Sequence, residues 1–434
     1  MNPDAKSDKK SLSDSLASPP TRSAKTIRSI PNLNFLDTFA SLRNRNYLFL
    51  WIGMQCLMGG IQMQMVARGY LVYELTSRPA LLGIVHGGSA IPILILSLWG
   101  GAIADRIDRK KIIQGGQVLN AGIALVVSVL IATGQVTWVH LLIASMIQGG
   151  MWAFMMPARQ AIIPQIAGQK NLTNALAINA AGMSAMTLVS PALAGILYGA
   201  FNAQGAYYVV TIMSLLACLF TSLVKYSGPQ TTETNTQMVT HIKEGLKYIS
   251  ANHLVLLLLV IGLTTTLLAM PFRFLLPVFV VDVYGKGPEA LGLLNSIIGV
   301  GSLAGSIFIA SLGKWNRGLL IIIGCFMSCF GLLLIAAFPF YIAAVFIMII
   351  LGLGDAIRRT LNQTLILEIV EDQYRGRVMS VFMMIFGLMP LGVVPGGLAI
   401  ELLGGQAAIA ILAVGLLVVS VVLLITQKQL REFQ

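Results

Sequence analysis

Twelve stretches of the chain are dominated by apolar residues for twenty positions or more. They lie near 46–74, 80–103, 112–133, 137–157, 172–200, 205–226, 253–283, 290–313, 318–337, 339–360, 376–402 and 405–427. Wound as helices, runs of that length match the roughly 30 Å hydrocarbon thickness of a bilayer. A soluble chain could not bury them all. Only 11% of the 434 residues are charged, against roughly 25% in a soluble domain. The runs are continuous rather than alternating, which excludes a membrane β-barrel. An all-α membrane protein of twelve transmembrane helices is expected. Many of the 43 glycines fall at small-xxx-small spacing, as in Gly83/Gly87 and Gly301/Gly305, which lets helices approach closely. The same spacing reads Gly299-Val-Gly301 as packing rather than a nucleotide loop.

The net charge of +12 would suggest nucleic acid in a soluble protein. Here its placement decides. With the N-terminus inside, alternate loops put 25 of the 29 Lys and Arg residues on that side. Only Arg78 and Lys286 are outside, and Arg68 and Arg273 fall deep within spans; Lys225, Arg358, Arg359 and Arg377, at the inner ends of theirs, are counted with the inside. Such asymmetry is the positive-inside pattern. It predicts a multi-pass plasma-membrane protein with both termini cytoplasmic, and no nucleic-acid partner. Residues 1–31 are polar and Pro-containing and have no apolar signal segment, so a disordered cytoplasmic tail is expected. The four cysteines, Cys56, Cys218, Cys325 and Cys329, sit inside apolar runs. They predict neither disulfides nor a metal site.

The longest internal loop, 227–252, divides the spans six and six, giving halves 32–226 and 253–434 joined by a cytoplasmic linker. The halves echo each other. Leu82-Gly83 and Leu291-Gly292 open the second and eighth spans, while Pro191 and Pro395 mark the fifth and eleventh. Two pseudo-symmetric six-helix halves predict a carrier with its site between the repeats, near the midplane.

The loop after the second span reads Gly101-Ala-Ile-Ala-Asp105-Arg106-Ile-Asp108-Arg109-Lys110-Lys111. It resembles the G-x-x-x-D-R-x-x-R-K motif of the major facilitator superfamily, and Gly313-Lys314-Trp315-Asn316-Arg317 is a degraded second copy. Three further segments resemble a branch that holds siderophore exporters and macrolide efflux proteins. They are Leu71-Val-Tyr73-Glu74-Leu75-Thr76, Pro157-Ala-Arg159-Gln160 with Pro164, and Pro277-Val-Phe279 with Leu291-Gly292-Leu293-Leu294. The resemblance spans about 35–428. It implies that Gly101, Asp105, Arg106, Arg109 and Lys110 form a conformational motif. Asp105 would dock at the positive start of the eleventh helix, near Gly376-Arg377, in one state and leave in the other. The alternative is that these cations only fix topology. Ser190-Pro191-Ala-Leu-Ala-Gly195 resembles the antiporter motif, with Ser in the first Gly place, and would let the fifth helix bend and approach its neighbour. The Arg that drug/proton antiporters carry upstream of a Gln-Gly step would fall near Ser145, before Gln148-Gly149, and is missing.

Charges inside spans carry the substrate reading. A buried Arg is costly in lipid and marks a pathway or a partner. Arg68 and Arg273 lie at similar depths of the first and seventh spans and favour an anionic or carbonyl-rich substrate; the alternative is snorkelling to headgroups. Asp355 either titrates as a proton carrier or is tied to Arg359. His86 either relays protons or packs. Glu74, Asp282 and Glu401 read as interfacial caps. Arg159, Glu368, Glu371, Asp372, Arg375 and Arg377 read as latches at the inner mouth. No H-E-x-x-H, P-loop or intramembrane protease motif is present, so neither an enzyme nor direct use of ATP is expected. No cofactor is implied, and a monomer is expected. The reading is a secondary transporter that uses protons to export a small organic molecule, a siderophore or other acidic metabolite. Multidrug or macrolide efflux is the alternative, with import or a membrane enzyme more remote.

Overall fold

A computed structural model describes residues 37–97, 107–226, 238–311 and 316–427. One compact unit begins at Ala40. Its described residues form helices and turns, and ten helices are long and apolar enough to cross a membrane. One of these, Leu172–Ser222, is two spans read through a turn, because Phe201 and Asn202 leave helical geometry and Asn202 adopts φ 59°. Asn tolerates that region better than most residues. A further span, Arg45–Thr76, is 32 residues long, and Gln55, Gln62, Gln64 and Arg68 make it more polar than the rest. The protein thus has twelve membrane helices. They are α1 (Arg45–Thr76), α2 (Pro79–Ser97), α3 (Arg109–Ala132), α4 (Trp138–Ala167), α5 (172–200), α6 (203–222), α7 (His253–Val283), α8 (Pro288–Ser311), α9 (Arg317–Ala337), α10 (Tyr341–Ile369), α11 (Gln373–Leu403) and α12 (Gly405–Thr426). An additional amphipathic helix, Met238–Ala251, precedes α7.

Local chemistry sets several helix starts. Asn44, Asp108, Asn252 and Asn316 accept hydrogen bonds from the first free backbone amides of α1, α3, α7 and α9. Lys110 donates from Nζ to the carbonyls of Ser222 (2.8 Å) and Val224 (2.7 Å), tying the start of α3 to the end of α6. A cation suits the negative end of a helix.

The halves meet along α2 against α11 and α5 against α8. Glycine makes both contacts possible. A Cβ on Gly83 would lie 2.8 Å from the Val393 carbonyl oxygen, and one on Gly195 2.6 Å from that of Pro288. Gly292 likewise faces the Pro191 carbonyl, and Gly397 that of Pro79. The sequence echo therefore has a spatial meaning. Gly83 of α2 meets α11, as its counterpart Gly292 of α8 meets α5. Pro191 does not break α5: in Leu172–Ser222 the non-helical dihedrals are at Phe201 and Asn202, beyond its end. What the Ser190–Gly195 segment supplies is close approach across the interface.

Among the described residues, these close glycine contacts lie toward the end of the bundle away from the start of α1, here termed the far end. Polar bonds reinforce them there. Tyr73 donates to Asp282. Arg78 donates from Nε (3.1 Å) and Nη2 (2.9 Å) to Glu401. Glu74 accepts from Tyr198 within the first half. Asp282 and Glu401 thus take part in contacts between the halves, and Glu74 in one within the first half. At the near end, described ion pairs stay on one side of the interface. Arg317 binds Glu368 at 2.5 Å, and Arg377 binds Glu244 of the Met238–Ala251 helix at 2.8 Å. Tyr248 of that helix also stacks on Tyr374, with centroids 4.4 Å apart. Three cations expected near or beyond helix ends lie inside helices instead. Arg159 is within α4, and Arg358 and Arg359 are within α10. Both helices run past their apolar stretches, because the membrane does not limit a helix whose neighbours satisfy its polar end. Arg159 is buried over the Trp152 ring, 5.8 Å away, rather than in a latch.

Candidate binding cavity

Three helices lose regularity near mid-span. α2 turns at Gly88 and Ser89; α7 breaks at Ala269, just before Pro271; α11 breaks at Leu388 and Met389, before Pro390. Proline cannot donate to the helical ladder, and in membranes such breaks persist where protein or a cavity satisfies the freed backbone. The breaks in α2 and α7 flank His86 and Arg273.

Those two residues line a small pocket between the halves. Met65, Val66 and Gly69 of α1 form one wall, with Phe274 and Pro277 of α7 and Leu291 and Asn295 of α8 opposite. A Cβ on Gly69 would sit 3.0 Å from His86 Nε2, so glycine there lets the ring into the interface. The His86 ring lies 5.2 Å from that of Phe274. Arg273 has no hydrogen-bond or ion-pair partner among the described residues, and its Nε is buried unsatisfied. Asn295 donates to the Leu291 carbonyl at 3.1 Å, which leaves its Oδ1 unpartnered.

A second small pocket adjoins α7 within the second half. Gly262, Thr266 and Met270 of α7 line it with Asp355, Arg358, Arg359 and Asn362 of α10 and Phe382 and Ile385 of α11. Asp355 is tied, but to Arg358 at 2.5 Å rather than to Arg359. The reason is helical geometry plus an anchor: Arg358 also donates to Thr265 of α7 and is buried, whereas Arg359 is exposed. Asn362 donates to the Leu258 carbonyl at 3.0 Å, and its Oδ1 has no partner. Arg273 is near enough to Asp355 and Arg359 to feel both charges.

Arg68 behaves differently. It is buried, which excludes snorkelling, and donates to Gln148 Oε1 at 2.9 Å. Gln148 in turn donates to Gln64 and Asn120, both at 2.8 Å, and Asn120 donates to Ser214 at 2.8 Å. One polar chain thus joins α1, α4, α3 and α6. Sequence reasoning missed Gln64, Asn120 and Gln148 as a group. The available signal was an amide in each of three neighbouring apolar runs. The cation missing beside the Gln-Gly step of α4 is supplied from α1.

Of the resembled motif, Gly101, Asp105 and Arg106 lie outside the described residues, as do Gly313 and Lys314. Arg109 donates to the Ala161 carbonyl at 3.4 Å, and Lys110 makes the clamp on α6. Cys325 and Cys329 are buried free thiols, the latter 3.6 Å from Ser420 Oγ, and so pack inside rather than face lipid.

Residues 50–392 match the Major Facilitator Superfamily profile. The chain belongs to that superfamily. It is a multi-pass membrane transporter of the family's twelve-helix type. Among curated relatives, the Staphyloferrin A transporter of Staphylococcus aureus (strain NCTC 8325 / PS 47) is 23% identical over 355 residues, 81% of this chain and 88% of the relative. Macrolide efflux protein A of Streptococcus pyogenes is 22% identical over 346 residues, 77% and 85% of the two chains. The Enterobactin exporter EntS of Salmonella typhi is 25% identical over 353 residues, 77% and 81%. Among solved structures, a variant of the nucleoside transporter NupG superposes with a TM-score of 0.77 at 14% identity, covering 88% of this chain and all of that one. A peptide transporter POT in complex with sulfate gives 0.73 at 10% identity, covering 89% and 95%. At such identities the structural likeness supports the fold alone.

Proposed function

We propose that this transporter exports a small acidic organic molecule by alternating access, with Arg273 as its principal substrate contact. The observation that carries this reading is the guanidinium of Arg273, set between the halves with no hydrogen bond or close ion pair among the described residues. A fixed charge in a low-dielectric cavity attracts anions and repels cations, and an Arg cannot discharge itself by losing its proton. Siderophore export is the first choice, in keeping with two of the relatives. Macrolide efflux is the second reading. Its support is a third relative together with Met65 and Met270, whose flexible thioethers suit varied apolar ligands.

With the termini cytoplasmic, as the charge asymmetry favours, the far end is the outer one, and the seal there corresponds to an inward-open state. The halves 32–226 and 253–434 would rock about the α2–α11 and α5–α8 contacts, joined by the 227–252 linker, in a chain that works as a monomer in a bacterial inner membrane. Protons are the coupling ion in this reading. Asp355 is the one carboxylate lining either cavity among the described residues, which makes it the first candidate carrier, ahead of His86. Asp105→Asn should slow transport at equal protein level if the Gly101–Lys110 motif gates the cycle; unchanged rates would reduce the motif to a topology signal.

The decisive experiment is comparative metabolite profiling of cells and medium with and without the gene. An acidic metabolite accumulating inside the deletion strain supports the proposal. Retention of a neutral or cationic drug, with no change in acids, would move the second reading ahead.

A further inference from the structure

The Met238–Ala251 helix stands in the segment that joins the halves. A passive tether needs length and no fixed seat. This helix has a seat, and the contacts described for it are with the second half. Glu244 binds Arg377 at 2.8 Å. Tyr248 stacks on Tyr374 with centroids 4.4 Å apart, and the Arg377 guanidinium lies over the Tyr374 ring, 5.3 Å from its centre. The Glu371 amide donates to Tyr248 Oη at 3.5 Å. A Cβ on Gly245 would lie 3.0 Å from that of Arg377, so glycine lets the helix settle against α11. Ile249 is buried in one apolar cluster with Val255 and Leu258 of α7 and Val378 and Phe382 of α11.

The two helices it ties together are both broken at mid-span, α7 at Ala269 and α11 at Leu388 and Met389. The breaks lie side by side. A Cβ on Gly392 would be 2.4 Å from the Leu267 carbonyl oxygen. Beyond its break, the outer segment of α11 is packed on α2 of the first half through Val393 and Gly397. The inner segments, His253–Leu268 and Asp372–Gly387, are therefore held together at mid-span by the breaks and at the near end by the Met238–Ala251 helix. Arg375 also ties the start of α11 to α10, donating to the carbonyls of Leu367 (2.9 Å) and Val370 (3.2 Å). A helix bends most readily where its ladder is already interrupted. Closing the near end draws the start of α11 toward the first half. That movement leads away from the Met238–Ala251 helix, which is seated on the core of the second half.

Resting on the alternation of the halves proposed above, we infer that the Met238–Ala251 helix is a strap that holds the near end open. Its contacts with Tyr374 and Arg377 belong to the open state and are given up when the inner segment of α11 swings across. Glu244 and Tyr248 thus set the ratio of the two states without touching the substrate. A ligand-independent bias of this kind shifts populations rather than chemistry. Its parts are weak enough to be released: a half-exposed ion pair and one aromatic stack are each worth roughly a two- to tenfold change in an equilibrium.

The test is pulsed electron–electron resonance on the full-length protein in nanodiscs. Spin labels are placed at Lys111→Cys, at the start of α3, and Gln373→Cys, at the start of α11, with the four native cysteines replaced by alanine. Tyr248→Ala should raise the ratio of short to long near-end distances about two- to tenfold, the scale of an aromatic pair. Tyr248→Phe keeps the ring and should leave the ratio nearly unchanged. Glu244→Arg sets two cations together and should also favour the short distance, while Glu244→Arg combined with Arg377→Glu should restore the wild-type ratio. Thermal unfolding shows whether a variant is folded, and if Glu244→Arg is not, Tyr248→Ala against Tyr248→Phe carries the comparison. Two distances in the wild type that no folded strap variant shifts, or a shift toward the longer one, would overturn the inference and leave alternation standing. One fixed distance in the wild type and in every variant would overturn both.

Discussion

Arg68 and Arg273 occupy similar depths on α1 and α7, the first helices of the two halves, yet the protein treats them differently. Arg68 ends a chain of amides running through Gln148, Gln64 and Asn120 to Ser214. Arg273 faces a cavity with no partner, beside His86 and Asn295. A guanidinium inside a membrane must be satisfied by something. For Arg68 a neighbouring amide supplies a hydrogen bond; for Arg273 no described side chain does, and a ligand there is the proposal made above. The pair teaches that depth and residue type alone do not identify a substrate contact. What separates them is whether neighbouring helices carry amides at the same level.

The largest effect expected is on Arg273. Arg273→Ala should lower affinity for the exported acid by tenfold or more, about 1.5–3 kcal/mol for a lost charge-assisted hydrogen bond, with a smaller effect on folding. Lys should rescue it in part, since the planar fork is lost. Flux assays in inverted vesicles read the change. If Arg68→Ala proves the more damaging for affinity, the contrast between the two arginines is reversed.

Next in size is Asp355→Asn, which leaves Arg358 without its anion. Gradient-driven export should fall by about tenfold, on the scale of a single charge-assisted contact, while exchange of preloaded substrate persists. Loss of exchange as well would assign Asp355 to holding Arg358 rather than to carrying a proton.

A stability experiment sharpens the first half of the comparison. Gln148→Leu strands the Arg68 guanidinium and should cost about 1–3 kcal/mol, read as a lowered melting temperature in detergent. Arg68→Met should cost less, because it removes the charge along with the bond. The double variant should recover part of the Gln148→Leu loss. Strictly additive effects would mean that the bond between them contributes nothing.

The smallest effect belongs to the polar N-terminal segment of the sequence. Deleting residues 1–31 should leave transport and insertion nearly unchanged, since a polar, Pro-containing stretch has no apolar surface to anchor it.

Much of this protein is written locally in the chain. Apolar run length fixed the number of spans, because a bilayer imposes one thickness on every helix, and the clustering of Lys and Arg argued for sidedness. The repeat of Leu82-Gly83 at Leu291-Gly292 foretold two related halves. The sequence also brought out Arg68, Arg273, Asp355 and His86 as polar residues stranded in apolar stretches, where each is conspicuous by contrast. Their partners were not legible. That Asp355 binds Arg358 and not Arg359 depends on Thr265, a residue about ninety positions away. That Arg68 is held depends on Gln148 and Asn120 from two other helices. Glu401 turned from a cap into part of a seal because Arg78 of the opposite half lies against it. A helix's own periodicity specifies which residues share a face, but not which helix that face will meet. Only the packing of twelve helices, with glycines at their close contacts, decided which buried charge found a hydrogen-bonding partner and which did not.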